Sequence, residues 1–327
     1  MPSLIFRREF LRSTVAITTL LTIGRLQAAS LSLANLTSPI LFAGDATHAY
    51  RDPAAIFHQG WFYLYFTHVV TEQDHIAYSH VAWSKSRDLI HWTPPVNLTP
   101  GNKALDYGSP GNIVRHNNQW VLCFQTYPRP HGEKYGNQDS RIFTMRSHDL
   151  EHWSAPELLR VKGPTVPVEK MGRMIDPYLL ADKDTPNKWW CFYKQNCISL
   201  SSSPDLTTWT PQCRIDAGEN PCVVIDQNEY VLFHSPSNGI GIKRSSDLHH
   251  WRDEGTLILG QKQWPWAHGR ITAAFVLDLR RDPSIGKALM FFHGSTYAET
   301  DRRGGFDNYA SLGIAWSSDL KSWDWPR

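Results

Sequence analysis

Short apolar runs of four to six residues, separated by Asn, Gly, Asp and Gln, recur along the chain. Trp61-Phe62-Tyr63-Leu64-Tyr65-Phe66 is the first, followed by Trp120-Val121-Leu122-Cys123-Phe124 and Trp189-Trp190-Cys191-Phe192-Tyr193. Tyr230-Val231-Leu232-Phe233 and Ala288-Leu289-Met290-Phe291-Phe292 continue the series. Aromatic and β-branched residues in runs of this length predict strands, and the turns between them include His58-Gln59-Gly60, His116-Asn117-Asn118 and Asp226-Gln227-Asn228. Beyond Ala28 no long stretch sustains the 3.6-residue apolar period of a helix. The expected class is all-β.

After each apolar run comes the same phrase, a Ser-rich turn and then Asp-Leu-x-x-Trp. It occurs as Ser86 to Trp92, Ser147 to Trp153, Ser203 to Trp209, Ser245 to Trp251 and Ser317 to Trp323. The tryptophans are 61, 56, 42 and 72 residues apart. Five such units, each long enough for about four short strands, predict a five-bladed β-propeller forming one domain. Within the phrase, Asp is expected to bond backbone N–H groups of the turn, and Leu and Trp to pack between blades. These five tryptophans are read as structural.

The first residues stand apart. Arg7-Arg8-Glu9-Phe10-Leu11 precedes an uncharged, apolar-leaning stretch from Ser13 to Gly24, then Leu26-Gln27-Ala28-Ala29. This order resembles a twin-arginine export signal, and roughly 12 apolar residues are too few to span a bilayer. Residues 1–28 are therefore expected to be a signal peptide and 29–327 the propeller. The mature protein would be periplasmic or secreted, with no membrane association after cleavage. A formal net charge of +2, with no run of like charges, gives nucleic acid no footprint. Five cysteines, an odd number without a Cys-x-x-Cys pair, leave disulfide connectivity open and make a zinc site improbable.

In a propeller the inner strand of each blade lines the central channel, so candidate chemistry lies where each unit opens. Unit one opens on Arg51-Asp52-Pro53, unit three on Ile175-Asp176-Pro177 and unit four on Glu219-Asn220-Pro221. Three carboxylates beside proline turns, at matched places in their blades, would converge on one channel mouth. Such crowding costs stability unless function requires it, and glycosidic hydrolysis requires at least two acids in different protonation states. These motifs resemble glycoside hydrolase family 43 and its five-bladed relatives, from about residue 40 to the end. The resemblance implies Asp52 as general base, Glu219 as general acid and Asp176 as the residue that tunes and orients that acid, with inversion at the anomeric carbon. Asn220 departs from the glycine usual at that place. The related sucrose-cleaving families, in which the first Asp is a nucleophile and configuration is retained, rank second, because Asp52-Pro53-Ala54-Ala55 lacks their Asn-Asp-Pro-Asn-Gly setting.

Unit five contributes His268-Gly269, which resembles an element placing an imidazole at the channel centre near a calcium or sodium ion; no organic cofactor is expected. Arg270 is a candidate contact to a sugar hydroxyl or carboxylate. Trp264 and Trp266 are candidates for a stacking platform, and Tyr107 and His48, which open units two and one, for further sugar contacts. Insertions at Tyr127 to Asp139 and Ala298 to Asn308 are expected to wall the channel. The expected substrate is a plant or algal polysaccharide or oligosaccharide containing arabinose, xylose or galactose. Two rivals are a retaining fructosidase-like enzyme and a carbohydrate-binding propeller without turnover.

Overall fold

Antiparallel strands, one after another along the chain, form five sheets in the computed structural model, which describes residues 31–133, 135–296 and 307–327. The expected signal peptide and most of the insertion at 298–308 lie outside the described residues. Four sheets are continuous runs of four strands. Their inner strands are His48–His58, Tyr107–His116, Ile175–Ala181 and Glu219–Asp226. The fifth blade starts from Arg270–Leu279 and takes strands from both ends of the chain: Ile40–Phe42 and Trp323–Asp324 both pair with Ser311–Ser317. Each inner strand packs against the inner strands of its two neighbours, and that of blade five packs on that of blade one. The ring is thus closed, and the five-bladed propeller expected from the repeats is the fold.

The second strands are the most apolar because both of their faces are covered by neighbouring blades. Leu64, Tyr65, Phe66, Phe124, Phe192, Phe233, Phe291 and Phe292 are fully buried there. Burying one such side chain contributes ~1.5–3 kcal/mol, and every blade supplies several.

The repeated phrase builds one turn five times. Ser86 Oγ accepts the Leu89 N–H at 2.9 Å, and Asp88 Oδ1 accepts those of Ile90 and His91 at 2.9 and 2.8 Å. Trp92 Nε1 donates to the Leu89 carbonyl at 3.1 Å. The turn holds its leucine in the left-handed region, with φ of 64°, 69°, 60°, 67° and 62° at Leu89, Leu150, Leu206, Leu248 and Leu320. That conformation costs an L-residue ~1–2 kcal/mol. Burial of each of these leucines offsets it. The Tyr65 hydroxyl of blade one donates to the Leu150 carbonyl in blade two, so the turn also ties blades together. All five cysteines are free thiols.

Candidate active site

Each inner strand carries a bulge near its start, where the register shifts: between Arg51 and Ala54, Gly108 and Asn112, Ile175 and Tyr178, Glu219 and Cys222, and Thr272 and Phe275. One residue of each bulge is left-handed: Asp52 (φ 48°), Ser109 (41°), Asp176 (51°), Asn220 (51°) and Ala273 (52°). Proline follows in four of the five, at Pro53, Pro110, Pro177 and Pro221, and has no N–H to offer the ladder. Asp and Asn tolerate the left-handed region better than most residues, which accounts for Asn220 where glycine was expected. The bulges pass close together near the axis. A Cβ on Gly111 would lie 1.6 Å from the Pro177 carbonyl oxygen, so no larger residue fits there.

A bulge also leaves the left-handed residue's N–H without a ladder partner, and the preceding blade supplies one. Asp52 N–H donates to His293 Nδ1 at 3.1 Å, Ser109 N–H to Thr67 Oγ1 at 2.7 Å, and Ala273 N–H to Ser235 Oγ at 2.7 Å. Asp176 N–H donates to Gln125 Oε1. In blade four the acceptor for Asn220 N–H is the Asp176 carboxylate, at 3.3 Å. The circle of bonds runs through all five blades.

Asp52 and Asp176 occupy the same place in their blades. Glu219 stands one residue earlier, level with Arg51, Gly108, Ile175 and Thr272, so the three acids are not strictly equivalent. All three line one cleft of about 310 Å³, together with Arg51, Arg173, Arg270, Tyr127, Tyr135 and His293. On the far side of the bulges the channel narrows to a cavity of about 20 Å³ walled by the four prolines and Phe275.

The carboxyls are in different states. Burial would raise that of Asp52, but the Arg51 guanidinium at 3.3 Å and the Thr67 hydroxyl at 2.9 Å outweigh it and hold it below its ordinary value. Asp176, equally buried, lacks such partners. Burial first, then the charges of Glu219 and Asp52, push it up to about 8. Glu219 is half-buried and takes a hydrogen bond from Arg270 Nη2 at 3.0 Å. One carboxylate held ionised, one acid held protonated and a third group between protein and solvent form a set suited to acid–base cleavage.

The other expected contacts are not in the cleft. Trp264 is only 6% exposed and stacks on Trp266 at 5.4 Å and on Phe292 at 5.7 Å, so the pair packs the core of blade five and offers no stacking platform. Tyr107 is buried against Phe124 and Phe143. His48 bonds Asp45 at 3.1 Å and stacks on His68. His268 is exposed after the short turn Pro265–Ala267 and does not line the channel. Among the described residues no group of three or more His, Cys, Asp and Glu could hold a metal ion. The imidazole that does reach the channel is His293, which burial pushes down to about 3 and so keeps neutral. Sequence reasoning missed it, along with Thr67 and Gln125, because all three sit on second strands. The insertion at Tyr127 to Asp139 does reach the cleft, through Tyr127 and Tyr135.

Residues 46–233 match the model of the glycosyl hydrolases family 32 N-terminal domain. Solved structures with the same fold include an exo-1,5-alpha-L-arabinanase from a bovine ruminal metagenomic library, 18% identical. The match covers 83% of this chain and 94% of that one, with a TM-score of 0.57. A family 117 glycoside hydrolase of the marine bacterium Zobellia galactanivorans is 15% identical over 86% of this chain and 88% of its own, with a TM-score of 0.62. The catalytic domain of a GH62 alpha-L-arabinofuranosidase from Coprinopsis cinerea is 13% identical, with coverages of 84% and 94% and a TM-score of 0.61. No curated protein sequence matches the chain.

Proposed function

The chain belongs to the glycosyl hydrolase family 32 N-terminal domain family and is a glycosidase, and we propose that it cleaves plant or algal glycans containing arabinose, xylose or galactose. The observation that carries the mechanism is the convergence of Asp52, Asp176 and Glu219 on one cleft in unlike states. Glu219, at the cleft and held by Arg270, donates the proton to the leaving oxygen. Asp52, kept ionised, takes a proton from the attacking water, giving inversion. Asp176, neutral in the resting site, orients the backbone next to Glu219 through Asn220 N–H and adds no negative charge that would oppose the acid's ionisation. No organic cofactor is needed for this chemistry. The expected twin-arginine segment supports action in the periplasm or outside the cell.

The family 32 match favours a second reading, in which Asp52 attacks the anomeric carbon itself and configuration is retained. One experiment addresses both. Native protein and Glu219→Gln are incubated with arabinans, xylans, galactans and fructans, and the first-formed anomer is read by proton NMR. A general acid contributes ~10²–10⁴-fold, so the variant should lose that much kcat on whichever glycan the native enzyme cleaves. An inverted first product assigns Asp52 as base, and a retained one assigns it as nucleophile. Equal cleavage by the variant removes Glu219 from the acid's role.

A further inference from the structure

Three carboxyl groups that line the cleft each have a cation beside them. Asp52 has Arg51 at 3.3 Å, Glu219 has Arg270 at 3.0 Å, and the buried Asp106 has Lys103 at 2.8 Å and Arg129 at 2.6 Å. Arg173 breaks this pattern. It is half-buried in the cleft wall, donates Nε to the Gly136 carbonyl at 3.2 Å and Nη2 to the Tyr127 hydroxyl at 3.3 Å, and lies over the Tyr127 ring at 5.3 Å. Among the described residues no carboxylate forms an ion pair with it. A guanidinium carries five N–H bonds in a rigid fork, and these contacts engage two of them.

A cation fixed in place, partly desolvated and without an ion-paired carboxylate among the described residues suits an anion that arrives with the ligand. Tethering the insertion alone would need no charge. Arg173 and Asp176 line the same cleft, so an anion held by Arg173 would belong to a sugar bound beside the catalytic carboxyls. Tyr135, in the same insertion, lines the cleft and is 55% exposed, which gives a sugar ring a face to stack on.

We propose that this cleft takes an acidic glycan, whose sugar carboxylate or sulfate ester is held by Arg173 while its ring stacks on Tyr135. This rests on the glycosidase reading and narrows its substrate class. The test uses matched pairs: glucuronate-bearing xylan oligosaccharides against their carboxyl-reduced forms, and sulfated galactan oligosaccharides against their desulfated forms. The native enzyme should show a kcat/KM higher for one acidic member by about 10- to 100-fold, the factor expected of hydrogen bonds to a charged group. Whichever pair shows the preference identifies the anion. The ratio should fall towards one in Arg173→Gln and be partly kept in Arg173→Lys. Calorimetric binding of the same pairs to Glu219→Gln should show salt-sensitive affinity for the acidic member.

Equal cleavage of both members by native enzyme overturns the proposal and leaves the glycosidase reading standing. So does a preference that Arg173→Gln leaves intact. Acidic members that bind through Arg173 but are never cleaved would do the reverse. Absence of both binding and cleavage removes the two together.

Discussion

Asn has the shape of a protonated Asp, so Asp176→Asn abolishes one titration while leaving the volume of the buried side chain nearly unchanged. In the folded protein that carboxyl is pushed up from the ordinary 3.8 to about 8, by burial and by the charges of Glu219 and Asp52. Between these pH values the folded state keeps the proton and the unfolded chain has lost it. Wild-type stability from this group is therefore fully present below about pH 3.8 and is lost as pH rises through about 8. The whole difference corresponds to at most ~6 kcal/mol. For about 300 residues an unfolding entropy of ~0.6 kcal/mol/K turns that into a Tm change of about 10 °C. The assay is differential scanning calorimetry of both proteins from pH 4 to 9, subtracting one Tm from the other so that titrating groups not coupled to Asp176 cancel. The variant's Tm relative to wild type should climb with pH up to about 8 and then level off. Exchange of O–H for NH₂ adds an offset that does not vary with pH, so only the slope is diagnostic. A flat difference would refute a protonated Asp176, and with it the account of how three acids share one cleft.

Other substitutions separate packing from chemistry. Trp264→Ala should cost ~3–5 kcal/mol, seen as a lower denaturant midpoint, while the folded fraction keeps its kcat/KM, because the ring packs on Trp266 and Phe292 outside the cleft. Asn220→Val should destabilise by ~1–2 kcal/mol and lower kcat by displacing Glu219, whereas Asn220→Gly, which accepts a φ of 51°, should retain both. His293→Ala leaves the Asp52 N–H without its acceptor and should cost ~1–3 kcal/mol in urea unfolding. It should also reduce turnover by disturbing Asp52.

The blades were legible because the turn that marks them is local. Serine and aspartate bond backbone N–H groups within seven residues, and four of the five tryptophans bond the turn's leucine carbonyl, so the same letters produce the same turn wherever they occur. Asp52, Asp176 and Glu219 were legible for a related reason, since a proline one or two residues after the acid announces the bulge that brings it to the axis. Contacts between distant segments left no such mark. Trp264 and Trp266 looked like a loop platform because nothing nearby reveals that Gly294 and Gly313 make room for the Trp266 ring. A Cβ at either position would come within 2.7 Å of it. His293, Thr67 and Gln125 read as ordinary strand residues, and their partners lie in the next blade. Arg173 falls in an irregular segment just ahead of an inner strand, where residue type alone does not indicate which way a side chain faces.

The circle of bulge hydrogen bonds bears on when activity can arise. Asp52, near the start of the domain, is held by His293 near its end, and Ile40 pairs with Gly313 about 270 residues later. Contacts at such separation are among the last that a folding chain forms, because the intervening segments must be ordered before the ends meet. Four assembled blades would bury most of the apolar surface yet leave the Asp52 N–H without the acceptor that fixes its bulge. Turnover would then report completion of the fold more strictly than compactness or strand content does, and a refolding chain should regain its secondary structure before it regains catalysis.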